Sequence, residues 1–137
     1  MRNVIVVAIG GHRYAIELRW VREVTSLGHV TPVPRAPDAV AGVVNVRGAI
    51  VPVLRLPHFG ERPAPHAGES AVLVEVEDAR AAVPIDSVQL VATLRETDDG
   101  VGLADPAGGD AIPLLDPPAL LSDVAAAAAA LARRGLT

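Results

Sequence analysis

The residue types that most often carry chemistry are present in this chain but dispersed. Four histidines, His12, His29, His58 and His66, fall mostly in turn-like stretches. No two have the i, i+4 spacing that puts both imidazoles on one helical face. No Asp or Glu cluster accompanies them, so no metal site is expected. The absence of cysteine excludes disulfides, thiol catalysis and thiolate metal ligation. Ser70, Ser87 and Ser122 lack the nucleophile-elbow context. There is no phosphate-cradling loop ending in Lys-Ser/Thr. Gly100-Val101-Gly102 is the nearest approach to a dinucleotide fingerprint, and it lacks the third glycine and the helix. Asp86 reads as a catalytic acid only in isolation, because it also stands where a turn after a strand ending at Ile85 needs a cap. No catalytic residue, metal or cofactor is expected.

A patterned polar group does occur between residues 40 and 56. Two Val/Ile-rich runs, Val40–Val46 and Ala49–Leu54, are joined by Arg47-Gly48, which reads as a β-hairpin whose glycine supplies a positive φ. Period-two alternation sends Asn45 and Arg47 to one side at the hairpin's end and Val44 and Val46 to the other. Asn45 suits the backbone groups of the turn. Arg47 is either a plain surface charge or a recognition element. Gly42 and Gly48 suit backbone geometry. Val21 and Val24 read as core. Trp20, in a chain whose only other aromatics are Tyr14 and Phe59, is a candidate interface hot spot as much as a cap on a small core.

The elements that must position these residues are short. Residues 4–9 and 13–18 read as strands around Gly10-Gly11. Residues 19–24 allow one helical turn before a strand, with Trp20, Val21 and Val24 at the spacing of one helical face. Residues 31–37, with three prolines, must be extended or irregular, and Asp38 can cap a turn into the hairpin. Residues 57–70 are polar and rich in Pro and Gly, the best linker in the chain. Strands follow at 71–77, 81–85, 89–94 and 111–115, with a turn at 78–80 and an acidic, Gly-rich loop or weak hairpin at 95–110. Residues 117–134 form the one long helix. Alanine has the highest helix propensity, and Arg133, Arg134 and Gly135 suit its end.

Many short strands with frequent turns and one terminal helix predict an all-β fold of two small barrels packed together. The division falls at 57–70, with a first barrel at about 1–60 and a second at about 68–117. Interleaving of the two sets is left open. Half of the 137 residues are apolar, the formal net charge is −4, and nothing resembles a basic stripe with aromatics. A nucleic-acid partner is therefore not expected. The apolar run at the N-terminus is too short for a signal peptide, and no run is long enough to insert in a membrane. A cytoplasmic protein is expected.

Gly42-Val43-Val44-Asn45-Val46-Arg47-Gly48, followed by Ile50-Val51-Pro52-Val53, resembles the GvxNlRGxilPv core of the CheW-like domain, the adaptor of bacterial chemosensory arrays. Residues 11–18 resemble the strand before it, 21–24 its V.EI, 31–37 its tpvP.aP, 85–88 its vDsV and 112–121 its closing lLdl..ll. The resemblance covers about residues 3–122. It implies a single domain over 1–123, built from two intertwined five-stranded SH3-like barrels, with the Ala-rich helix 117–134 beyond it, and no catalytic activity. It further implies two partners, a chemoreceptor cytoplasmic helical tip and the regulatory domain of a CheA-type histidine kinase, with recruitment to membrane-associated receptor arrays. The partner-binding residues it points to are Val21, Glu23, Asn45, Arg47 and Gly48, with Trp20 as the candidate hot spot and Glu23 as the ionic partner of Arg47, in a buried or half-buried pair. Arg55 stands where the family usually has an acid, residues 95–110 are short and Gly-rich, and the Ala-rich tail is unusually long. The residues themselves leave open a small ligand-binding barrel or enzyme with a site between the subdomains. They also leave open a CheW-like adaptor in another pathway, such as pili or development.

Overall fold

Strand alternation sorts the aliphatic side chains of this protein into three clusters, and the clusters define the architecture. The computed structural model describes residues 1–55 and 66–135, with side chains as far as Ala130. The elements are β1 (Arg2–Ile9), β2 (His12–Glu17), a 3-10 turn (Leu18–Trp20), β3 (Val21–Ser26), β4 (Val40–Val46), β5 (Ala49–Leu54), β6 (Ser70–Val76), β7 (Ala79–Pro84), β8 (Ser87–Leu94), β9 (Gly102–Leu103), β10 (Ile112–Pro113) and α1 (Pro117–Gly135).

Five strands in the order β3-β6-β7-β5-β4 form one sheet. Beyond β3 the chain returns to β4, where Thr31 and Val43 exchange backbone hydrogen bonds of 2.8 Å in both directions. That contact brings the two edges of the sheet together as a first barrel. The remaining ladders are β2-β1-β8 and β10-β9. They are joined by bridges from Glu96 to Leu103 and from Ala15 to Leu114, which complete a second ring of five strands. Closure satisfies edge groups that would otherwise template association.

Val44, Val51, Val53, Leu73 and Ala82 fill the first barrel. Val4, Val6, Ala15, Leu94, Leu103 and Ile112 fill the second. A third cluster lies between them, with Ile5, Val7, Ile9 and Ile16 from one barrel against Leu54, Val72, Val74, Ala81, Val83 and Ile85 from the other. This explains why β1, β6 and β7 read as unbroken apolar runs. Each is a wall with core on both faces, so alternation is lost from its sequence. Leu120, Leu121 and Val124 of α1 pack on the same central cluster, at the spacing of one helical face. Among the described residues, no helix is long and apolar enough to cross a membrane.

The all-β fold with a terminal helix is as the sequence predicts. The division of strands is not the simple one at 57–70, because residues 21–84 supply the first barrel and the two ends of the chain supply the second. Hydrophobic pattern sets which strands exist but not which pair over long range. Of the expected linker, residues 57–65, with His58 and Phe59, lie outside the described residues. The expected helical face of Trp20, Val21 and Val24 is also corrected. The turn ends at Trp20, β3 alternates from Val21, and Val24 points outward, 43% exposed.

Candidate functional site

The parallel pairing of β5 with β7 places the two turns that precede them, Arg47-Gly48 and Glu77-Asp78, at the same end of the first barrel. β3 runs antiparallel to β6 with Val21 opposite Val74, which brings Arg22 and Glu23 to that end as well. The polar residues singled out along the sequence thus gather around one barrel mouth.

The β4–β5 turn has two residues, with φ of 49° at Arg47 and 88° at Gly48. Two successive positive φ values match the twist of a two-residue hairpin, which Asn-Gly satisfies without strain. Arg47 carries a Cβ into the left-handed region, at a cost of about 1–2 kcal/mol. Asn45 holds the turn by accepting the Gly48 N–H on Oδ1 at 2.8 Å. Gly42, deeper in β4, is required by close approach, since a Cβ there would stand 2.6 Å from the carbonyl oxygen of Thr31.

Arg47 donates through Nη2 to the Glu23 carboxylate. The pair is solvent-facing, with Arg47 66% exposed and Glu23 29%. Its contribution to stability is therefore about 0–1 kcal/mol, not the roughly 3–5 kcal/mol at stake in a buried pair. Arg22 Nη1 and Arg80 Nε both donate to Glu75 Oε2, each at 2.8 Å. Together Arg22, Arg47 and Arg80 rim a cavity of about 250 Å³ whose walls include Val46, Ala49, Val51 and Leu73. Val21 is half-buried and packs on the central core. Trp20 is half-buried beside the crossover between barrels, with the Arg19 guanidinium 4.6 Å from its ring centre.

Sequence reasoning missed Arg22, Glu75 and Arg80. One signal was available. Glu75 and Arg80 stand directly opposite across the β6–β7 hairpin, and opposite charges in that register attract. Centring the turn on 77–78 instead of 78–80 exposes the pair. Nothing local foretells that Arg22 joins them.

The other charged groups fasten the second barrel. Arg2 links Glu17 on β2 to Glu96 beyond β8, and these carboxylates, Glu96 foremost, hold its guanidinium above its ordinary value. Arg13 pairs with Asp105 and keeps that carboxyl below the usual range. Asp86 accepts the Gly10 N–H at 2.8 Å and so ties down the β1–β2 turn. His12, His29 and His66 are exposed. Among the described residues, no group of three His, Asp or Glu is placed to hold a metal.

Known proteins resemble the chain both in sequence and in fold. It is 28% identical over 102 residues to the chemotaxis protein CheW of Rhizobium meliloti (strain 1021), over 71% of this chain and 64% of that protein. It is 28% identical over 102 residues to the chemotaxis protein CheW of Treponema pallidum (strain Nichols), over 70% of this chain and 60% of that protein. The chain therefore spans less than two thirds of the length of these relatives. The crystal structure of the scaffolding protein TtCheW from Thermoanaerobacter tengcongensis superposes with a TM-score of 0.60 at 22% identity, covering 81% of this chain and 75% of that one. That likeness shows a shared fold. The CheW-like domain profile matches residues 3–125, which takes in both barrels, the Arg47 hairpin and the start of α1. This chain belongs to the CheW-like domain family.

Proposed function

We propose that this domain is a non-catalytic adaptor of chemotaxis type, joining a chemoreceptor cytoplasmic helical tip to the regulatory domain of a CheA-type histidine kinase. The observation that carries the reading is the CheW-like match across both barrels, with Arg47 held in a strained turn at an exposed mouth. Strain that a glycine or asparagine would relieve points to a role for the arginine beyond folding. Glu23, Asn45, Arg47 and Gly48 form the contact surface, with Val21 supporting β3 and Trp20 as an anchor at its edge. The aliphatic filling between the barrels supports a scaffold over an enzyme, because an active site there would need converging polar groups. The adaptor works from the cytoplasm at receptor arrays. Its individual contacts can be weak, because neighbours in an array raise the effective concentration of one another.

The test is a pull-down with the receptor tip and with the kinase regulatory domain, each alone. Binding to both is expected, weakened by Arg47→Ala at unchanged melting temperature. Failure to bind either overturns the adaptor reading.

A further inference from the structure

We propose that the mouth of the first barrel is an oxyanion pocket, taking one carboxylate or phosphate group between Arg22, Arg47 and Arg80. The proposal does not depend on which proteins the domain joins. Each guanidinium is a planar fork with five N–H donors. The ion pairs described above engage one nitrogen of each, Nη1 of Arg22, Nη2 of Arg47 and Nε of Arg80. Among the described residues the other donors of these guanidinium groups carry no hydrogen bond, and all three residues line the cavity.

Glu23 and Glu75 are the carboxylates paired with these three guanidinium groups, and the Glu77-Asp78 turn stands at the same end of the barrel. Glu75 Oε2 anchors Arg22 and Arg80 together. That sets the two guanidinium groups in place before any ligand arrives, which lowers the ordering cost of binding. The cavity, at about 250 Å³, falls below the ~300–1,000 Å³ of pockets for drug-sized ligands. It suits a single small group. Val51 and Leu73 wall it with apolar surface, where charge-assisted hydrogen bonds to an oxyanion are stronger than in open water.

The same chemistry has two sources, an acidic side chain of a docked protein or a free phosphate ion. The full-length chain, labelled with ¹⁵N, is titrated with sodium phosphate, sodium acetate and sodium chloride at matched ionic strength, and the Arg Nε–H resonances are followed. Saturable shifts at Arg22 and Arg80 with phosphate are expected, while the exposed Arg55 follows ionic strength alone. Saturation with acetate as well assigns the site to carboxylates. Saturation with phosphate only assigns it to the free ion. Arg80→Gln should weaken the saturable binding by about tenfold, the scale of one charge-assisted hydrogen bond. Arg80→Lys, which keeps the charge and loses the fork, should fall between, and Arg55→Gln should change nothing. Melting curves establish that each variant is folded. Shifts that match those in chloride, or saturable binding that survives Arg80→Gln in full, overturn the proposal.

Discussion

The two barrels share one packing device and differ in how much ladder stands around it. In each, a buried glycine lets one strand press against a neighbouring carbonyl. A Cβ on Gly42 would lie 2.6 Å from the oxygen of Thr31, and one on Gly102 would lie 2.7 Å from that of Ile112. In the first barrel Gly42 sits in a seven-residue strand with six residues paired to β5 and a bulge at Ala41. In the second, Gly102 belongs to a two-residue strand whose partner is equally short, and single bridges complete the ring. In the first barrel the close approach lies beside the closing bridge of Thr31 and Val43, while in the second it lies within the β9-β10 ladder. The first barrel offers a mouth rimmed by arginine. The second presents exposed apolar side chains along β8, including Val88 and Val91.

Several variants test this contrast. The largest effect is expected where the barrels share a core. Leu54, 2% exposed, reaches from β5 into the central cluster. Leu54→Ala should cost about 2–5 kcal/mol in urea unfolding, with both barrels lost in one transition. Two separated transitions would show that the barrels are independent. Gly42→Ala and Gly102→Ala come next. Gly42→Ala should cost about 1–3 kcal/mol, the scale of overpacking, and Gly102→Ala less, because short strands can yield. Equal costs would remove the contrast between the long ladder and the short one.

A smaller change is expected at the hairpin tip. Arg47→Asn gives the turn its preferred residue and removes the solvent-facing pair with Glu23. The two effects oppose, so stability should move by less than about 1 kcal/mol. Partner binding should nevertheless fall, measured by the pull-down already described. The smallest effect is acid sensitivity in the second barrel. Asp99 is held below the usual carboxyl range chiefly by the Thr97 hydroxyl, and Asp105 chiefly by Arg13. A carboxyl lowered in the folded state gives stability that is complete above its unfolded value of about 3.9. That stability is lost as pH falls through the lowered folded value. Protection factors of the amides of residues 95–110 should therefore fall on acidification below about pH 4, and Asp105→Asn should remove its share of that dependence. A uniform fall in protection in both barrels would contradict the assignment.

Much of this fold is legible locally. The β4–β5 hairpin announces itself through two Val/Ile runs around Gly48, and β1–β2 through Gly10-Gly11. The helix follows from its alanine content. What stays hidden is long-range pairing. Nothing in residues 40–54 says that β5 lies parallel to β7, yet that single choice brings Arg80 to the mouth that Arg47 occupies. β9 is hidden for a related reason. Two residues are too few to show a period, and Gly102 is chosen for closeness to Ile112, not for strand propensity. Val24 has the apolar character of a core residue, but β3 turns it outward because Val21 and Glu23 take the inner positions.

The nested order of the strands also bears on how the protein is made. β1 emerges from the ribosome early, but its far neighbour β8 is distant along the chain, with Asn3 and Thr93 separated by 90 positions. At about 5–20 residues per second, that interval is roughly 5–20 s. Throughout it, β1 has a partner on one flank only, the β2 hairpin arm. The first barrel, by contrast, is encoded as one uninterrupted segment and can assemble while the rest is still being translated. Val4–Val7, buried in the finished molecule, thus wait through that interval for the second of their two strand partners.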